Sequence, residues 1–274
     1  MELPPRFLAH FSWWTVLPAL LAMLAYVAAA LLGQRLTPPQ ARTTLVAAWA
    51  LHALSLIANM LLPPPHFGFA PALSITAWLM LTLYLVEQQL YPRMRAAHTL
   101  SLMGALTVLL ALLYPGTPLS SQHSAWMPLH LALGVACYGL FASAVVHAGL
   151  MTRAERRMRL LTDDAQDPAP GVPLLTLERI MFRCVRVGMV LLSATLLVGM
   201  MFGETLYGHA WRWDHKNVFS LLAWVVFAIL LLGHARFGWR GRDAVRMVYA
   251  GGVLLLLAYA GSRFVLEVVL GRSA

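Results

Sequence analysis

Eight apolar runs, each of roughly 17–25 residues, decide what this chain folds into. They cover about 13–32, 43–62, 69–88, 97–114, 127–150, 181–203, 218–235 and 245–269. A run of that length crosses a hydrocarbon core about 30 Å thick as a helix. Together the runs account for most of the 274 residues. Composition agrees, with 60% of residues hydrophobic and 11% charged, against about 25% charged in an ordinary soluble domain. So few polar side chains cannot cover a water-soluble globule of this size. A soluble enzyme, a nucleic-acid-binding domain and a disordered chain are excluded. The expected fold is all-α: a polytopic membrane bundle of about eight transmembrane helices, forming one integral membrane domain over 1–274. The first run reads as a retained span. Its flank holds only Arg6, and no small-residue cleavage site follows.

The net charge of +9 is a topology signal and implies no nucleic-acid partner. Alternate connections hold Arg35 and Arg42; Arg93 and Arg95; Arg153, Arg156, Arg157, Arg159, Arg179, Arg183 and Arg186; then Arg236, Arg240, Arg242 and Arg246, which is 15. The other side holds four: Arg6, Arg212, Lys216 and Arg272. The positive-inside rule then puts both termini outside the cytoplasm. The longest internal connection, 151–180, opens with RAERRMR and continues through DDAQDPAPGVP. It reads as a cytoplasmic loop whose basic start suits anionic lipid. Cys137 and Cys184 form no CxxC pair and read as buried structural thiols.

Polar residues inside spans are expensive and so informative. Here they are His52, His130, His147, His234, Arg263 and Glu267. His52 lies near the middle of the second span, His130 opens the fifth, and His234 closes the seventh. Imidazole is a frequent metal and haem ligand. A lone intramembrane His is more often an interhelical hydrogen-bonding group, and spacing alone favours that reading for each. No HExxH, Ser-His-Asp order or phosphate-binding glycine loop appears. The dispersed carboxylates Glu87, Glu204, Asp214 and Glu267 make no proton-relay pattern.

The connection 204–217 reads ETLYGHAWRWDHKN. Tyr207, Trp211 and Trp213 surround the polar groups of His209, Arg212, Asp214, His215 and Lys216. Aromatic faces beside cations suit a flat, apolar, anionic ligand. An interfacial aromatic anchor explains the two tryptophans equally well.

That loop resembles the tryptophan-rich signature of the cytochrome c assembly family, the haem-handling membrane proteins typified by CcmC and CcsA. The family form is approximately WGxxWxWDxxxTW. Tyr207 stands in the first Trp place, while Gly208, Trp211, Trp213 and Asp214 match directly. PLHLALGVACYGLFAS (128–143) resembles the segment in which a His opens a helix and a Tyr follows, places filled by His130 and Tyr138. LLGHARFGWRGR (231–242) resembles the segment ending in a His and basic residues, with His234 in that position. The likeness makes 127–270 a cytochrome c assembly-like core and leaves 1–126 less family-specific. PLLTLERIMF (173–182), GHxxxGWRGR and AYxGSR (258–263) are similar to the YpjD or HemX-like inner-membrane subgroup.

The resemblance implies haem b as cofactor or cargo, held within the membrane by His234 with His52 as its partner. It places His130 near an outer haem edge beside a periplasmic platform of Tyr207, Gly208, Trp211, Trp213 and Asp214. Arg263 then meets either a haem propionate or Asp214, or it pairs locally with Glu267 and snorkels to the interface. The implied partners are haem, membrane lipid and proteins of cytochrome c maturation or tetrapyrrole synthesis. The implied role is binding or passing haem rather than catalysis. One departure matters: full synthases carry a further external His near the C-terminal end, and here no His follows His234. The other reading is a HemX-like regulatory or scaffold protein that keeps the fold without doing chemistry, with 151–180 as its working surface.

Overall fold

The computed structural model describes residues 13–33, 35–61, 66–92, 94, 96–118, 126–160, 172–203 and 213–265. Eight helices dominate them: α1 (Trp13–Leu32), α2 (Pro38–Leu61), α3 (Phe69–Leu90), α4 (Ala97–Leu113), α5 (Met127–Leu160), α6 (Leu174–Met201), α7 (His215–Phe237) and α8 (Gly241–Leu256). A π-helical segment, Leu257–Gly261, carries α8 into a last short turn, α9 (Ser262–Phe264). Seven helical runs are long and apolar enough to cross a membrane, the last being Gly241–Phe264, and α4 is a shorter apolar helix. Each of the eight apolar runs is therefore a helix, and the protein is a multi-pass membrane protein. Its surface is aliphatic: Leu31, Leu61, Leu90, Val190, Met201 and Leu232 are all more than 60% exposed.

Helix ends depart from the apolar runs where local chemistry extends them. α2 starts before its run because the Gln40 side chain reaches back to cap the backbone at Thr37. The Thr37 N–H donates to Gln40 Oε1 at 3.1 Å, and Thr37 O accepts from Ala41 N at 2.9 Å. Pro38 follows at the first helical position, where a missing N–H costs nothing. The 151–180 segment is less loop-like than its sequence suggests. α5 continues through RAERRMR to Leu160, and α6 begins at Leu174. Arg153, Arg156, Arg157 and Arg159 are therefore exposed on a helix.

The chain divides into two compact units. The first comprises residues up to Leu81 together with Ala97–Leu119. Its interior holds one polar chain: the Tyr26 hydroxyl lies 3.0 Å from His52 Nδ1, and His52 Nε2 lies 2.8 Å from Ser74 Oγ. The imidazole thus ties α1, α2 and α3 together. All three side chains are buried, and each would be costly in lipid without its partner. Trp78 Nε1 donates to Trp49 O at 3.1 Å, and the two indoles stack at 5.4 Å. Gly104 brings α4 onto the Tyr26 ring, where a Cβ would approach within 2.9 Å. A two-stranded antiparallel ladder pairs His66 with Pro118 and Phe67 with Thr117.

The second unit comprises Thr82–Ala96 and Ser120–Ala274. Its centre is the stacked pair Phe141 and Phe227, 3.9 Å between rings. Each ring is received by a glycine on the facing helix, Gly188 on α6 for Phe141 and Gly251 on α8 for Phe227. Small-against-large packing lets helices approach closely without help from a hydrophobic driving force in lipid. The Trp224 indole donates to Ser193 Oγ at 2.9 Å, and the Tyr138 hydroxyl donates to Leu255 O at 3.0 Å, just before the π-helical segment.

A Cβ on Gly251 would lie inside the van der Waals envelope of the Phe227 ring. Gly251→Val is therefore expected to destabilise the protein by about 1–3 kcal/mol, read as a lower unfolding midpoint in detergent. His52→Ala strands the Tyr26 and Ser74 hydroxyls, at about 1–3 kcal/mol for each buried group left unsatisfied. Tyr26→Phe should cost less, because His52 keeps Ser74. A thermal series in which His52→Ala is the milder change contradicts the bridging role.

Candidate functional site

The second unit carries a polar cluster at each end of α7. Asp214 caps the N-terminus of that helix, accepting from the Asn217 N–H at 2.9 Å. Its carboxylate meets the positive helix end and an otherwise orphaned donor. Trp213 beside it is exposed. Lys216 is the second residue of the helix, and its charge bears on His130. His130 is the fourth residue of α5, engages the backbone at Thr195, and sits against Gly199 of α6. Nearby, Trp126 stacks on Phe202 at 4.4 Å.

The contact between Phe227 and Gly251 fixes α7 and α8 as an antiparallel pair. Residue 263 then returns to the end of the pair where Asp214 lies. The structure thus brings His130, Trp213, Asp214, Lys216 and Arg263 to one end of the unit. Tyr207, Gly208, Trp211 and Glu267 lie outside the described residues. So does any local pairing of Arg263 with Glu267.

His234 marks the other end. It is 18 residues beyond Lys216 on α7, about 27 Å at ~1.5 Å per residue, nearly a bilayer core of about 30 Å. Its Nδ1 donates to Trp239 O at 2.9 Å, which leaves Nε2 with the lone pair. Its ring stacks on Phe182 of α6 at 3.8 Å, nearly parallel. The turn that supplies the carbonyl is built by Gly238, whose φ of 67° closes α7, and by the Trp239 N–H bonded to Gly233 O at 3.3 Å. Gly233 leaves room for the Trp239 ring, which a Cβ there would strike.

One nitrogen of His234 is thus tied to a backbone carbonyl and its ring is held by a neighbour, an arrangement that fixes an imidazole's orientation. His52 differs. Both its nitrogens are engaged by protein hydroxyls, so it offers no lone pair to iron in this arrangement. His130 and His234 stand at opposite ends of the unit, His234 with its Nδ1 committed to a backbone carbonyl.

One association escaped sequence reading. Glu87, His147 and Cys184 converge from α3, α5 and α6, with His147 Nε2 3.0 Å from Glu87 Oε2. Both cysteines are buried and free. No short spacing announces the cluster, because its members sit on three separate helices.

A family model for cytochrome c assembly proteins matches residues 37–270. The inner membrane protein YpjD of Escherichia coli is 34% identical over 143 residues, covering 52% of this chain and 53% of YpjD. A 28.8 kDa protein of Azospirillum brasilense is 36% identical over 152 residues, covering 53% and 54%. The cytochrome c biogenesis protein CcsA of Prochlorococcus marinus is 28% identical over 164 residues, covering 50% and 51%. The chain therefore spans about half the length of the curated relatives it matches. No solved structure matches it. With the family model covering most of the sequence, from the capping turn of α2 to beyond the π-helical segment, the chain belongs to the cytochrome c assembly protein family.

Proposed function

We propose that this protein binds or passes haem within the inner membrane during cytochrome c maturation or haem supply, with His234 as an iron ligand. The observation that carries the reading is the fixed tautomer of His234, whose Nδ1 is committed to Trp239 O while Nε2 keeps its lone pair. Haem b, when bound, would supply an iron for an imidazole to ligate and carboxylates for a cation to neutralise. Phe182 holds the imidazole plane from one side, and the Gly238 turn holds its orientation. His130 would meet haem at the opposite end of the unit, beside Trp213 and Lys216. Arg263 or Lys216 would neutralise a propionate there. His52 would serve as the second intramembrane ligand only by giving up Tyr26 or Ser74, so its primary role in this reading is structural.

The excess of arginine in one set of connections supports an orientation with both termini and Trp213 on the periplasmic side. The exposed basic extension of α5 would then face the cytoplasm, where it suits anionic lipid or an acidic partner. That extension also favours a second reading, a scaffold docking a cytoplasmic enzyme of tetrapyrrole synthesis.

Two tests follow. The purified protein in mild detergent is expected to show a Soret band, as isolated or after haem addition. His234→Ala should abolish or shift it. Gly233→Ala should shift it less, by displacing Trp239 and the carbonyl that orients His234. No band in the parent protein, or an unchanged spectrum in His234→Ala, defeats the assignment. For orientation, Asn217→Cys should react with an impermeant maleimide in intact spheroplasts, and Thr162→Cys only after disruption. The buried native thiols keep the background low. The reverse pattern inverts the topology.

A further inference from the structure

The ligand atoms of Glu87, His147 and Cys184 all lie within 4.8 Å of one another, inside the second unit. His147 Nδ1 donates to Ser143 O at 2.7 Å, which leaves Nε2 facing Glu87 and Cys184. That nitrogen is 3.0 Å from Glu87 Oε2. Glu87 is 13% exposed and His147 3% exposed in their side chains, and Cys184 is buried. An imidazole nitrogen, a carboxylate and a thiol thus converge in a largely buried site.

A carboxylate in an apolar bundle needs a compensating charge, which a bound cation supplies. We propose that Glu87, His147 and Cys184 bind a thiophilic divalent cation, with Zn2+ as the best match. A divalent ion held by one carboxylate, one thiolate and one neutral imidazole sums to zero charge, the arrangement least costly in a membrane interior. Nitrogen, oxygen and sulfur donors from three helices suit Zn2+, whose tetrahedral shell accepts all three and leaves a fourth position open. Imidazole and thiolate together disfavour Mg2+ and Ca2+. Binding would release the Cys184 thiol proton to solvent, and the Ser143 carbonyl would orient His147 as an outer-shell partner does.

The site is separate from His234. Phe182, which stacks on His234, lies two residues before Cys184 on α6, a rotation of about 200° that puts the two side chains on different faces. The proposal therefore stands or falls without the haem reading.

The full chain in detergent, stripped with a chelator, is incubated with Zn2+, desalted and analysed for metal. One ion per chain is expected. E87Q and C184S should each weaken retention by roughly 10- to 100-fold or more, the range that loss of even outer-shell support produces. Replacing Zn2+ with Co2+ should give a thiolate-to-cobalt charge-transfer band that C184S loses. A measurement on the unsubstituted protein covers the case of a variant that fails to fold. In mild denaturant, Zn2+ should slow alkylation of Cys184 but leave Cys137 unchanged. Failure to retain Zn2+, equal retention in C184S and E87Q, or equal zinc effects on both cysteines each overturns the site and leaves a plain Glu87–His147 ion pair. The Soret band reports haem independently.

Discussion

Lipid offers no hydrogen bonds. A buried polar group in this chain is therefore costly unless it finds a partner inside the protein, and that constraint organises both units. The aliphatic exterior needs no explanation beyond solvation by hydrocarbon. The interior does, because burying leucine against leucine yields little when the surrounding lipid is equally apolar. Polar bridges and close van der Waals contact must hold the helices instead. In the first unit the bridge is the Tyr26–His52–Ser74 chain, which joins three helices through one imidazole. In the second, glycines receive aromatic rings: Gly188 takes Phe141 and Gly251 takes Phe227.

The same constraint separates histidines that look alike in sequence. An intramembrane imidazole has two nitrogens to satisfy, and what satisfies the second decides its use. His52 spends both on hydroxyls and becomes a tie between helices. His234 spends one on a backbone carbonyl and keeps the other as a lone pair, the state a metal requires. His147 likewise spends one nitrogen on Ser143 O, with a carboxylate and a thiol beside its remaining nitrogen. Residue type does not distinguish these three residues. Their partners do, and the partners lie on other helices or across a turn.

This is why the fold was far more legible than the site. Runs of apolar residues located all eight helices, since span length is set by bilayer thickness. Helix ends were missed where polar chemistry extends a helix past its apolar run. Thr37-Pro38-Pro39-Gln40 is a readable start signal for α2, whereas the extension of α5 through RAERRMR depends on helix propensity that a Pro/Asp/Gly-rich neighbourhood obscured. Asp214 read as part of a ligand platform, and its observed contact is an N-cap; Asp at a helix start before Asn217 was a signal available in the sequence. The caps are local, so sequence carries them. Glu87, His147 and Cys184 come together only through helix packing, and no periodicity within one segment contains that information.

The length of α7 gives the second unit its functional geometry. A helix crossing the membrane separates its two ends by nearly the full hydrocarbon thickness, so Lys216 and His234 stand far apart. α7 ties them into one rigid element, with Asp214 fastening one end and Gly238 the other. Between them, Phe227 locks α7 against Gly251, so a rotation of the helix at one end must carry the other. The π-helical segment then becomes significant. Tyr138 bonds the Leu255 carbonyl just before it, on the helix that returns Arg263 to the Asp214 end. A π-helical turn is a local excess of backbone within an otherwise regular helix. It shifts the register of everything after Leu256 relative to α7, and so sets the face on which Arg263 emerges. The position of that one cation thus depends on a backbone irregularity braced by a tyrosine on a different helix.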